Sequence, residues 1–141
     1  MNPVDLLHAG AALLAPVLEP AGFAFVEGER GTGSGGAFAV GLFTNGQRQL
    51  ELHVREALGI VIYRAPKVVV SHDVLMRAAA ENRRTAYPGF SDDPLDSFRH
   101  LREDLEAFGG IFLHGTAAAL AEQAERGEAI AAKRRGFGAL S

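Results

Sequence analysis

The stretch AFAVGLFTNGQRQLELHV, residues 37–54, decides the fold class of this chain. Large apolar and small residues alternate along its first half, and aliphatic residues alternate with polar ones along its second half. Alternation with a period of two is typical of a β-strand with one buried face. Asn45-Gly46 lies between the two runs, and this dipeptide favours a tight hairpin turn. The stretch therefore predicts two antiparallel strands.

The flanking segments extend this hairpin into a larger sheet. Phe23 and Phe25 predict the start of a strand before it, and Ile60–Arg64 predicts a strand after it, beyond a turn at residues 57–59. Residues 67–70 predict either a fifth short strand or an extended lead into the next helix. Strands joined by short connections form an antiparallel meander. The prediction is a four-stranded meander, with residues 67–70 as a candidate fifth strand.

Helices are predicted on both sides of the meander. Residues 2–5, Asn-Pro-Val-Asp, have the cap, proline and acid that begin a helix. This first helix is predicted to kink or end at Pro16 and to close by Gly22. Three further helices are predicted: from a cap at Ser71 to about Arg84, from a cap at Asp93 to Gly109, and from a cap at Thr116 to about Lys133. Helices separated from an antiparallel sheet along the chain indicate an α+β fold, with the helices packed on one face of the sheet.

Size and composition limit the classes of function. The chain has 141 residues, which predicts a single domain over residues 1–133 and a frayed C-terminal tail over residues 134–141. There is no cysteine, so disulfides and thiolate metal sites are excluded. A net charge of −3 argues against nucleic-acid binding. We find no apolar run of about 18–20 residues and no basic leader, so we expect no membrane association and a cytoplasmic location. A composition rich in alanine, glycine and arginine suggests a bacterial gene.

One face of the predicted sheet is the leading candidate for a binding surface. It consists of a charged trio on one strand, two small residues beside it and an aromatic residue on the next strand: Glu51, His53, Arg55, Ala39, Gly41 and Tyr63. Small residues beside charged ones leave room for a partner's loop or helix, and a tyrosine is a common anchor in interfaces. The alternative interpretation is an ordinary solvated sheet face.

A second candidate site lies on the predicted helix that starts at Asp93. Asp96, His100 and Asp104 are spaced at i, i+4 and i+8, so they fall near one another along the helix. A histidine between two carboxylates could bind a metal or act as a general base. The alternative interpretation is a solvated face with helical ion pairs. We predict no resident metal or other cofactor.

Other motifs carry less chemistry. Gly31–Gly36 matches G-x-G-x-x-G, but a strand is predicted after it where a dinucleotide fold needs a helix. This segment is therefore interpreted as a flexible hairpin connection. Two short basic segments, Arg83-Arg84 and residues 133–135, are each too small to predict nucleic-acid binding.

The sequence favours a small cytoplasmic interaction protein without catalytic activity, such as an immunity protein or a chaperone-like accessory factor. Its partner would be another protein, bound through the sheet face or edge. One alternative is a small enzyme or a ligand- or metal-binding domain that uses Asp96, His100 and Asp104. Another alternative is a homodimer in which the sheet face is the contact between the two copies.

Overall fold

The computed structural model describes the backbone of residues 1–140 and the side chains of residues 1–135. Within this range the chain forms an α+β fold, as predicted. Its strands are β1 (Ala24–Gly33), β2 (Gly36–Thr44), β3 (Gln49–Val54), β4 (Leu58–Ala65) and β5 (Val68–Ser71). Its helices are α1 (Pro3–Leu18), α2 (His72–Ala80), α3 (Asp96–Phe108), α4 (Gly110–His114) and α5 (Ala117–Leu140). A single 3₁₀ turn, Glu19–Ala21, follows α1.

The sheet is a meander in which each strand pairs with its neighbour in the sequence. The order is β1-β2-β3-β4-β5 and every pairing is antiparallel. Residues 68–71 form a fifth strand, so the candidate fifth strand of the prediction is present. The Asn45 side chain accepts hydrogen bonds from the backbone N–H groups of Gln47 and Arg48, and Gly46 has a φ of 92°. The hairpin that was predicted from Asn45-Gly46 is thus present.

The glycine-rich segment Gly31–Gly36 connects the first two strands, and most of it lies within them. Strand β1 continues through Gly33 and β2 begins at Gly36, so most of Gly31–Gly36 pairs within the sheet. Only a tight turn separates the two strands, and Gly36 has a φ of 97°, which favours glycine. The segment is therefore a hairpin connection, as predicted, and its flexibility stays a prediction.

All the helices lie on one face of the sheet. Leu50, Leu52 and Val54 of β3 point into the core, as their alternation predicted. Helix α1 packs its leucines against this face, and Phe98 of α3 packs against α1 at Gly10, where a Cβ would overlap the phenyl ring. Burial of one such large apolar side chain stabilises the fold by roughly 1.5–3 kcal/mol. In the part of the chain that the structure describes, the opposite face of the sheet has no helix over it.

The segment that contains helix α1 is long and apolar, although no apolar run of this length was predicted from the sequence. The segment Pro3–Ala21 is long and apolar enough to cross a membrane by length and composition, with a mean hydropathy of 1.3. In the fold, Leu6, Leu7, Leu14 and Leu18 are fully buried in the core. A buried core helix passes the same test of length and composition, so this segment is weak evidence for a membrane span.

Several helix ends differ from their predicted positions. Helix α1 continues through Pro16 to Leu18. Helix α2 ends at Ala80, because Glu81 takes a φ of 55°. Helix α3 begins at Asp96, since the Asp93 carboxylate accepts a hydrogen bond from the N–H of Leu95 in a turn ahead of the helix.

Helix α5 extends past Lys133, its predicted end, to Leu140. The predicted caps at Asn2, Ser71 and Thr116 are present. The frayed tail at residues 134–141 stays a prediction, and Ser141 lies outside the described residues.

Candidate functional site

The face of the sheet that the helices leave uncovered is the candidate functional site. Residues directly opposite each other in antiparallel strands share a face, so the register identifies its members. Val40 and Ile60 flank His53, while Leu42 and Ile62 flank Glu51. We call this surface the open face, and it comprises Ala24, Val26, Val40, Leu42, Thr44, Gln49, Glu51, His53, Ile60, Ile62, Arg64, Val69 and Ser71.

The open face mixes polar residues with aliphatic ones, and four of its five strands carry an aliphatic residue there. Val26, Ile60 and Val69 are 46%, 51% and 63% exposed, and they come from three different strands. The solvated face of an antiparallel sheet usually carries polar residues. These aliphatic residues were not predicted as part of the surface, although the continuous apolar run 60–63 indicates that both faces of β4 are apolar.

A charged cluster lies at the centre of the open face. The Nε2 atom of His53 is 2.8 Å from one carboxylate oxygen of Glu51, and the Nε–H of Arg64 donates to the other at 3.3 Å. Burial alone would raise the pKa of Glu51, but the hydrogen bonds from His53 and Arg64 outweigh it and lower this pKa. The Glu51 side chain is only 18% exposed. The Glu51 carboxylate is therefore already hydrogen-bonded within the protein and does not need a partner's cation.

Arg55 lies apart from this cluster, at the end of β3. A register shift after His53 pairs Val54 with Leu58, so the strand becomes irregular just before Arg55. The Arg55 guanidinium donates a hydrogen bond to the carbonyl of Gly36 and lies 5.7 Å from the centre of the Phe38 ring. The predicted trio is thus divided, with Glu51 and His53 at the centre and Arg55 at one end.

The other predicted members of the surface lie on the opposite face. Ala39 is opposite Val54 and Gly41 is opposite Leu52, so both face the helices. Tyr63 is opposite Leu50 and is fully buried. Placing Ala39, Gly41 and Tyr63 beside Glu51 was therefore wrong. The hairpin already implied this register, because pairing residue 44 with either 47 or 49 turns Gly41 to the side of the β3 leucines.

The second candidate site does not form. Asp96 accepts hydrogen bonds from Ser91 and Arg99, and the Nδ1 atom of His100 is 3.0 Å from the carbonyl oxygen of Pro88. Asp104 is only 2% exposed and faces the core. Eight residues advance an α-helix by about 80° beyond two full turns, which carries Asp104 away from the side of Asp96. Within the described residues, no group of three histidine or acidic side chains could hold a metal ion.

Asp104 instead belongs to a buried hydrogen-bonded chain that the sequence analysis missed. The Tyr63 hydroxyl is 2.6 Å from Nδ1 of His72, and Nε2 of His72 is 2.8 Å from the Asp104 carboxylate. We assign the tyrosine O–H as donor to Nδ1 and the Nε2–H as donor to Asp104. The same carboxylate accepts from the backbone N–H groups of Ala86 and Tyr87, at 2.7 and 3.0 Å.

The hydrogen-bonded series Tyr63–His72–Asp104 resembles a general-base relay in its geometry, but a substrate cannot reach it. Tyr63, His72 and Asp104 are 0%, 3% and 2% exposed. A general base has to come within hydrogen-bonding reach of the proton that it removes. In this conformation these hydrogen bonds therefore join β4, α2 and α3, and no substrate can reach the three side chains.

Comparisons of the chain with family models, with curated proteins and with solved structures found no match.

Proposed function

We propose that this protein is an interaction module without catalytic activity, and that its open face packs against another protein. The aliphatic residues of that face, above all Ile60 and Val69, carry the proposal. Val26 is opposite Leu42, and Ile60 and Ile62 share the face on β4, so aliphatic side chains flank the charged cluster on both sides. Exposed apolar surface of this kind on a small protein is typical of a surface that another molecule covers. An immunity protein or a chaperone-like accessory factor in the bacterial cytoplasm fits this description.

The shape of the open face defines the partner. Five strands at about 4.8 Å spacing make a surface about 24 Å wide. A sheet face of this width, with aliphatic residues on both sides of a charged centre, matches a second sheet, packed about 10 Å away, or a pair of helices. Because His53 and Arg64 already neutralise Glu51, the partner does not have to place a charge at the centre. We therefore propose a partner whose aliphatic side chains contact both sides of the charged cluster.

A second candidate is a homodimer through the same face. The observation that favours it is self-complementarity: aliphatic residues lie near both edges, at Val26 and Val69, and both signs of charge lie at the centre. A two-fold axis through the centre would bring the Glu51 of one copy near the Arg64 of the other, and it would put like surfaces in contact.

Sedimentation and partner capture with the Ile60→Lys variant test both candidates. A homodimer would dissociate in this variant, because an ammonium group would be buried in the apolar contact. If the wild type is a monomer at every concentration, the partner is another protein. A single stoichiometric protein should then be retained by the wild type and lost by Ile60→Lys.

Phe90→Lys is the matched control, since Phe90 is fully exposed and lies in the segment between α2 and α3. It should retain both self-association and partner binding. The proposal would be overturned if Ile60→Lys changed neither sedimentation nor partner retention, or if Phe90→Lys changed them equally.

A further inference from the structure

Two basic segments that are far apart in the sequence meet in the fold. Arg83 follows the end of α2, and Lys133 and Arg134 lie on α5. Helix α5 crosses α2 at Gly127, where a Cβ would overlap the carbonyl oxygen of Val74. Because the two helices approach so closely at this point, the next turns of α5 run beside the end of α2.

A cleft lies between these two elements. It consists of two adjoining hollows of about 280 and 430 Å³, which share Arg77, Glu81, Asn82 and Arg134 in their walls. Ile130 and Met76 contribute apolar surface. Small-molecule sites are typically clefts of about 300–1,000 Å³ with apolar surface and a few polar groups. The size of the cleft therefore suits a small ligand.

The charge of the cleft is opposite to the charge of the protein. The whole chain has a net charge of −3, yet the walls of the cleft contain more cations than acids. Its acidic residues are Asp73 and Glu81, and its cationic residues are Arg77, Arg83, Arg126, Lys133 and Arg134. Such a concentration of positive charge attracts anions.

Contacts within the protein account for only part of this charge. Arg77 pairs with Asp73 at 2.9 Å. Arg83 donates to the carbonyl of Ala80, and its guanidinium lies 4.8 Å from the centre of the Phe108 ring. Among the described residues, none of the three cleft cations on α5 lies within ion-pair distance of a carboxylate; these are Arg126, Lys133 and Arg134. They also lie more than one turn before Leu140, so the dipole at the end of α5 does not explain them.

The sequence of α5 is arranged to present these cations together. Residues 126, 130, 133 and 134 are spaced at i, i+4, i+7 and i+8, which places them on one face of a helix. Glu125 and Glu128 lie beside β5 instead, away from the cleft. Glu125 and Glu128 are thus on a different side of the helix from these cations, while Glu122 lies one turn before Arg126 on the same side.

We propose that this cleft binds a small ligand that carries phosphate groups. Guanidinium groups match phosphate oxygens in geometry and charge, and arginines from α2, α5 and the segment after α2 converge here. Ile130 and Met76 would contact the apolar part of the ligand. The cleft is built from helices and the segment after α2, so this site is independent of the open face.

Isothermal titration of the full-length protein with pyrophosphate at low ionic strength tests the proposal. We expect one binding site per chain, and we expect the double variant Arg126→Gln, Arg134→Gln to weaken binding by about tenfold or more. Both side chains are exposed, so the variant should unfold at the same urea concentration as the wild type. Citrate, a tricarboxylate of similar charge, should bind at least about tenfold more weakly than pyrophosphate.

The matched control is the double variant Arg30→Gln, Lys67→Gln, which removes the same charge from exposed positions outside the cleft. Its affinity for pyrophosphate should stay within about twofold of the wild type. The proposal would be overturned by the absence of binding at about 10 mM pyrophosphate. Equal weakening in the control, or equal affinity for citrate, would overturn it as well.

Discussion

At the scale of single residues, Asp104 is a buried carboxylate that joins three segments of the chain. Its carboxylate accepts hydrogen bonds from His72, Ala86 and Tyr87, and so connects α3 to α2 and to the segment between them. Burial alone would raise the pKa of Asp104, but these three hydrogen bonds outweigh it and lower this pKa. The carboxylate is therefore held in its charged form by groups that the fold positions.

We expect Asp104→Asn to lower the free energy of unfolding at pH 7 by about 3 kcal/mol, because an amide cannot accept from all three donors. The effect should depend on pH. A carboxyl group with a lowered folded pKa contributes stability above its unfolded pKa of about 3.9, and this contribution is lost as the pH falls through the folded value. The difference between wild type and variant should therefore shrink below about pH 4 in urea denaturation.

Asp92→Asn is the control for this prediction, since Asp92 is exposed and lies in the same segment between α2 and α3. It should change the free energy of unfolding by less than about 0.5 kcal/mol at either pH. A constant difference between wild type and Asp104→Asn from about pH 7 to pH 3 would contradict the assignment of a lowered pKa to Asp104.

At the scale of elements, the crossing of α2 and α5 depends on one glycine. Gly127 lies in the middle of α5, where glycine is less favourable than alanine by about 1 kcal/mol. The structure gives the reason for keeping it, because a Cβ at this position would overlap the backbone of Val74. Close packing of the two helices thus outweighs the helix propensity of the residue.

We therefore expect Gly127→Ala to destabilise the protein by about 2 kcal/mol, although alanine is the better helix former. Gly110→Ala is the control, because a Cβ at Gly110 meets no atom within 4 Å. This control should be neutral or slightly stabilising in urea denaturation. If Gly127→Ala were as stable as the control, the close crossing of the helices would be incorrect.

At the scale of the whole molecule, the helices cover one face of the sheet and leave the other to solvent or to a partner. Ile60 and Val61 are neighbours on β4, yet Ile60 is 51% exposed and Val61 is 3% exposed. Successive side chains of a strand point to opposite faces of the sheet. Substitutions at these two neighbouring positions therefore compare the stability cost of a charge on each face.

We expect Val61→Lys to prevent folding, because burial of an unpaired ammonium group costs several kcal/mol. Ile60→Lys should lower the free energy of unfolding of the monomer by no more than about 1 kcal/mol, the span of strand propensities. Circular dichroism and urea denaturation at low protein concentration distinguish these outcomes. Similar losses in the two variants would mean that the open face is covered within a single chain.

Much of the fold could be predicted because its signals are local. Alternation along β2 and β3, the Asn45-Gly46 turn and the caps at Asn2, Ser71 and Thr116 each depend on residues that are close in the sequence. Hydrogen bonding and side-chain direction over such short distances are set by the local backbone. The sequence by itself therefore determined the α+β class, the meander and most helix starts.

Only the tertiary structure decided which side chains meet across the fold. Asp104 faces the core and His72 because eight residues do not complete a whole number of helical turns. The crossing at Gly127 places Arg83, Lys133 and Arg134 around one cleft. These contacts join segments that are distant in the sequence, and their geometry depends on how whole elements pack. Periodicity within one element contains no information about that packing, which is why the buried chain and the cationic cleft appear only in the folded molecule.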